Sequence, residues 1–147
     1  MDQSVEDPRS VTATGGCLCG AVRYEVRGPL RPVINCHCGQ CRRTSGHFVA
    51  ATAARREDLS LVESGELRWY GSSETARRGF CRTCGASLFW EAALGGRTSI
   101  MAGTLDAPTG LQTVAHIFVE DAGDYYEIID NLHRHLGGDH EVQSPDL

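Results

Sequence analysis

Apolar residues along the chain fall mostly in short runs broken by Gly, Pro and polar turns, and several runs alternate with a period of two. "AVRYEV" (21–26) puts Val22, Tyr24 and Val26 on one face, the pattern of a half-buried strand. "PVINC" (32–36), "HFVAATA" (47–53), "ELRWYG" (66–71), "RTSIMAG" (97–103) and "TVAHIFVE" (113–120) predict further strands. "ARRGFC" (76–81), "RTCG" (82–85) and "ASLFWEA" (86–92) predict a hairpin with cysteines at its tip. The segment 39–46 reads as a turn or short helix ending at Gly46. Residues 1–14 carry no apolar period and predict a flexible lead, and 131–147 predict a flexible tail. Between them, 15–130 reads as one mainly β domain.

Length agrees, since 147 residues is the size of a single domain that buries a core without disulfides. No apolar run is long enough for a membrane span, and "MDQSVEDPRS" lacks the basic start and apolar stretch of a secretory signal. The expected address is cytoplasmic, where thiols stay reduced. The seven cysteines therefore point to metal, because the number is odd and Cys-x-Cys pairs are poorly shaped for bridging to themselves.

All fourteen basic residues are arginine, which excludes lysine Schiff-base chemistry and a phosphate-loop lysine. The net charge of −5 argues against a nucleic-acid partner, whose only support is the paired arginines at 42–43, 55–56 and 77–78.

The cysteines sort by spacing. Cys81-Arg82-Thr83-Cys84-Gly85 is a turn that aims two sulfurs at one point, and glycine relieves its backbone. Cys17 and Cys19, in "GGCLCG", supply a second pair, and four thiolates close a tetrahedral structural zinc. Cys36, Cys38 and Cys41 ("CHCGQC") remain, a three-sulfur set with one place to fill. Three protein ligands and a vacant position is the arrangement of a catalytic zinc, so two Zn²⁺ per chain are expected. His37, His47 or His116 could instead close the second site and make both zincs structural. Arg42 and Arg43, directly after Cys41, are candidates for offsetting its charge or gripping a substrate carboxylate. His47 and His116 are candidates for substrate contact or proton transfer. Loss of the second metal would free three thiols for oxidation, a redox reading of the same motif.

"GGCLCGAVRYEV", "CHCGQCRRTSG", "GFCRTCGASLF", "GTLD" (103–106) and "HIFVE" (116–120) together resemble the glutathione-dependent formaldehyde-activating enzyme family, with which centromere protein V shares the pattern. The resemblance runs from about Gly15 to about Asp130. It implies a β-tent fold of short antiparallel sheets around a structural zinc at Cys17, Cys19, Cys81 and Cys84, with the catalytic zinc at Cys36, Cys38 and Cys41. It also implies a carbon–sulfur lyase joining a small-molecule thiol, glutathione or similar, to formaldehyde or another small electrophile. The alternative is a zinc-stabilised protein-binding module without catalysis, whose second site would be closed.

Overall fold

The structure is a computed structural model, and it describes residues 7–138. The described chain is mainly β, in the tent-like arrangement the resemblance implied. A small sheet has strand order β1 (Ala13–Gly16), β2 (Arg23–Val26), β5 (Leu59–Glu63), all antiparallel. The large sheet has the order β11 (His133–Arg134), β10 (Thr113–Ile117), β3 (Val33–Cys36), β4 (Val49–Arg55), β9 (Arg97–Met101), β8 (Ser87–Ala92), β7 (Ala76–Cys81), β6 (Leu67–Gly71). One α-helix among the described residues, α1 (Gly39–Ser45), joins β3 to β4. No helix among the described residues is long and apolar enough to cross a membrane.

The sheets are not uniformly antiparallel: β10 pairs with both β3 and β11 in parallel. A parallel pair needs a long crossover, and the chain from β3 to β10 is long enough to give one by way of five other strands of the large sheet. β1, β5 and β11 were not among the predicted strands. β5 is an edge strand with four of its five residues exposed, so no apolar alternation marks it. β1 is "ATGG", whose glycines give no pattern to read. Residues 13–14 of the expected N-terminal lead thus already belong to a sheet. So do His133 and Arg134 of the expected tail, while 1–6 and 139–147 lie outside the described residues.

The main core lies where the two sheets meet. Val22, Tyr24 and Val26 are buried as their alternation predicted, against Leu88, Phe89 and Ile100 of the large sheet. Each such fully buried side chain contributes about 1.5–3 kcal/mol. The Tyr24 and Phe89 rings meet edge to face with centroids 5.3 Å apart. Tyr24 Oη reaches Thr104 Oγ1 at 2.7 Å by crossing over Gly15, where any Cβ would collide with the phenol oxygen. The first glycine of "GGCLCG" therefore makes room for a core tyrosine. Cys17 and Cys81 belong to this same core.

Candidate metal centres

The β7–β8 hairpin turns at Cys81–Gly85. The Gly85 N–H donates to Cys81 O at 2.8 Å, and Gly85 takes φ +77°, a left-handed conformation that glycine adopts without strain. This aims Cys81 and Cys84 toward Cys17 and Cys19, which follow β1. The four sulfurs lie within 4.8 Å of one another, with Cys17 Sγ to Cys19 Sγ at 3.6 Å and Cys19 Sγ to Cys81 Sγ at 3.8 Å. Zn–S bonds of about 2.3 Å in a tetrahedron put sulfurs about 3.8 Å apart. The spacing fits that metal, and none of the seven cysteines is in a disulfide.

The protons in this cluster are unequally held. Hydrogen bonds from the Cys19 and Ala86 N–H groups bring the Cys84 thiol down to about 6. Burial pushes Cys17 up, but the Val22 N–H and its thiol neighbours outweigh it and bring Cys17 below its ordinary value. Thiols that ionise readily are what a cation recruits.

The second cluster is built by the end of β3 and the start of α1. Cys36 is locked between two neighbours, opposite Val49 of β4 and Ile117 of β10. Cys38 is the N-cap of α1, and its Sγ accepts the Cys41 N–H at 3.2 Å. Residues three apart across a helix start lie on one side, which brings Cys38 and Cys41 together. Gly46 ends the helix at φ +89° with its N–H on Arg42 O, as its place in the sequence predicted. The three sulfurs lie within 4.8 Å of one another, and no histidine or carboxylate among the described residues joins them. Hydrogen bonds from the Cys36 and Cys41 thiols drive the Cys38 pKa far down, while Cys36 is pushed up by its pairing with Cys38 and Cys41.

These cysteines form part of the wall of a cleft of about 240 Å³. Most of its remaining wall is one face of the large sheet, assembled from cross-strand neighbours, with Arg31, Gln40 and Phe118 beside it. Ile34, Ala51 and Met101 form one row over β3, β4 and β9, and Ser99, Trp90 and Arg78 form another over β9, β8 and β7. Arg31 and Arg78 are the cationic side chains in the wall. Arg78 Nε and Nη2 both donate to Gln40 Oε1, at 3.0 and 2.8 Å, and Nη2 lies 3.6 Å from Cys41 Sγ. Arg31 is buried, and its Nη2 donates to Ala51 O at 3.0 Å.

The arginines and histidines expected at this site are elsewhere. None of Arg42, Arg43, His47 or His116 lines the cleft. Each residue of an α-helix turns about 100° from the last, so Arg42 and Arg43 leave the direction of Cys41. Arg42 packs beside Gly123 and Arg43 is exposed. The exposed His47 pairs its Nδ1 with Tyr125 Oη at 2.7 Å. Sequence reasoning missed Arg78, Arg31 and Gln40 as wall residues. Gln40 lay inside the quoted motif, but only the strand order brings Arg78 to it.

His37 and His116 are both buried and belong to a hydrogen-bonded chain behind the cysteine loop. Tyr126 Oη meets His37 Nδ1 at 2.5 Å, His37 Nε2 meets His116 Nδ1 at 2.8 Å, and His116 Nε2 meets the Asp130 carboxylate at 3.0 and 3.1 Å. An ionised carboxylate only accepts, so with both rings neutral every link points one way, from the Tyr126 hydroxyl to Asp130. Burial, then the neighbouring His116 and His47, lowers the His37 pKa to about 4. Both nitrogens of each ring are committed, which removes His37 and His116 as candidates for the fourth place. His37→Phe is accordingly expected to cost about 2–3 kcal/mol, by stranding the buried His116 and the half-buried Tyr126, and to leave bound metal unchanged. Urea unfolding and elemental analysis check both halves, and a loss of metal from the triplet would return His37 to the ligand set.

Residues 12–121 match the family described as glutathione-dependent formaldehyde-activating enzyme. The chain belongs to that family. A Halomonas elongata protein provisionally named a glutathione-dependent formaldehyde-activating enzyme is 28% identical over 127 residues, covering 78% of this chain and 79% of that one. An uncharacterized lyase of Schizosaccharomyces pombe is 32% identical over 77 residues, covering 52% of this chain and spanning about half (55%) of the yeast protein. The crystal structure of a Rhodobacter sphaeroides protein superposes with a TM-score of 0.56 at 30% identity, covering 68% of this chain and 97% of that one. Tyr126 and Asp130 lie beyond the matched segment.

Proposed function

We propose that this protein is a zinc-dependent lyase-type enzyme joining a thiol, glutathione or a similar one, to formaldehyde or another small electrophile. Cys17, Cys19, Cys81 and Cys84 hold a structural zinc, and Cys36, Cys38 and Cys41 hold the working one. The observation that carries this reading is that the three-sulfur cluster opens on a cleft, with no histidine or carboxylate among the described residues to close it. A binding module would need the opposite. Names of relatives point the same way, one a lyase and one a formaldehyde-activating enzyme. Seven reduced thiols suit the cytoplasm.

Zinc in this place would act as a Lewis acid and favour an incoming thiol in its thiolate form. The chain supplies the rest. Arg78 sets a permanent positive charge beside Cys41, offsetting the thiolates and leaving an anionic substrate less strongly repelled. Gln40 fixes that guanidinium from two of its nitrogens, so its direction is set before substrate arrives. The apolar wall thins the water around the cysteines, which strengthens every charge interaction there. Exchange between free and adduct ¹³C-formaldehyde, followed by NMR with glutathione, tests the activity directly. Rates no faster than the uncatalysed reaction, in protein carrying two zincs, would end this reading.

Arg78→Ala is expected to lower kcat/KM by roughly 10- to 100-fold, the usual range for a partner just outside a metal's own ligands. A chelator should also strip the second zinc more readily. Steady-state kinetics with a chelator titration measures both, and an unchanged kcat/KM would remove Arg78 from the site.

A further inference from the structure

The cleft is larger and more apolar than formaldehyde requires. Formaldehyde has two heavy atoms and no hydrocarbon body, and glutathione is a charged and largely polar tripeptide, so walls of Ile34, Met101, Ile117, Phe118 and Trp90 find little of either to bind. Apolar walls give about 0.8 kcal/mol for each methylene they cover, and only a substrate with methylenes can collect it.

Phe118 adds an independent observation. It holds φ +53°, the one non-glycine residue among the described chain at positive φ. An aromatic residue there carries backbone strain of order 1–3 kcal/mol. It directly follows β10, its N–H donates to Gly137 O at 2.8 Å, and its side chain lines the cleft. The turn that would suit glycine instead carries a large apolar ring into the wall. The opposite wall is lined by Trp90 of β8, and between them the row Ile34–Ala51–Met101 is narrowest in side chain at Ala51. Ala51 leaves the middle of this row open.

We propose that the electrophile of this enzyme is an aldehyde with a hydrocarbon body, a medium-chain aliphatic or an aromatic one, its carbonyl at the three cysteines and its chain along the Ile34–Ala51–Met101 row. This rests on the thiol-addition reading above. The step is balanced without any oxidant: the thiol S–H breaks, a sulfur–carbon bond forms at the carbonyl carbon, and the carbonyl π pair takes the proton as a hydroxyl. The product is a hemithioacetal, and the reaction reverses by the same atoms.

The test is a homologous series, propanal to butanal to hexanal, with glutathione and the two-zinc protein. Carbonyl reactivity is nearly constant along this series, so a trend reports the walls. KM is expected to fall about three- to fourfold per methylene, the rate equivalent of the burial energy. Ala51→Leu fills the row and is expected to raise KM for hexanal at least tenfold, with a smaller rise for propanal. A readout without turnover is the shift of the Ile34 and Met101 methyl signals on titration with hexanamide, which thiols do not attack. A flat KM series, or methyl signals that do not move, overturns the proposal while leaving formaldehyde chemistry standing. If no aldehyde, formaldehyde included, reacts faster than without protein, it is the thiol-addition reading that has failed.

Discussion

Cys81→Ser is expected to yield a chain that does not hold its fold at ordinary temperatures. Cys81 is fully buried in the main core with Leu88 and Phe89, and its sulfur lies 3.8 Å from that of Cys19. The cluster it completes joins the end of β1 in the small sheet to the β7–β8 hairpin of the large one. A structural zinc contributes on the order of 10–16 kcal/mol of binding free energy, and the whole stability of a domain is about 5–15 kcal/mol. Serine is a poor zinc ligand, and here its hydroxyl would sit in an apolar core as well. Circular dichroism melting and elemental analysis should show a collapsed transition and less than one zinc per chain. A Tm within a few degrees of the parent would mean that Cys17, Cys19 and Cys84 need no fourth partner, and the structural site would be wrong.

Cys38→Ser is expected to do the reverse: keep the fold and abolish the chemistry. Its role in the fold is to cap α1, and serine is among the best N-caps, so the bond from the Cys41 N–H survives. Compared with the parent in metal-free form, stability should therefore change by no more than about 1 kcal/mol. As a ligand it has no such substitute. The Cys36 and Cys41 thiols beside it hold the Cys38 pKa down, whereas a serine hydroxyl does not ionise near neutral pH. Zinc should fall from two to one per chain and kcat/KM by on the order of 10³ or more, comparable to losing a principal catalytic group. Two zincs retained, or turnover within tenfold of the parent, would show that the triplet is not the working site.

The contrast between these two cysteines shows which parts of the protein were legible in its sequence. Both were assigned from spacing alone, Cys81 to a closed set and Cys38 to an open one, and the sulfur clusters fall into those two groups. Local motifs could be read because their geometry is local: a Cys-x-x-Cys-Gly turn and a short helix between Cys38 and Gly46 are fixed by few residues. The β2 alternation was equally readable, since Val22, Tyr24 and Val26 meet the core as a period of two requires. Three of the four edge strands, β1, β5 and β11, were not. β5 has no buried face to imprint a pattern, and β11 is two residues held by pairing with β10.

Side-chain direction beyond the motif was also out of reach. Arg42, Arg43, His47 and His116 were nominated because they stand near a cysteine in sequence or carry useful chemistry, yet none of them reaches the cleft wall. Arg78, thirty-seven residues from Cys41, does reach it. His116 was expected to contact substrate, transfer a proton or close the second metal site, and it is instead buried and paired with His37 and Asp130.

The sequence by itself determined the mainly β class, the family, the two cysteine sets and a turn or short helix over 39–46, because each depends on contacts between near neighbours or on counts of donor atoms. Only the tertiary structure decided that the triplet opens on an apolar cleft, that Arg78 rather than Arg42 stands beside it, and that His37 is tied away from the sulfurs. Those outcomes depend on strand order and on the parallel pairing of β3 with β10, which bring together residues far apart in the chain. Periodicity tells which face of a strand is buried, and not which strand it will lie beside.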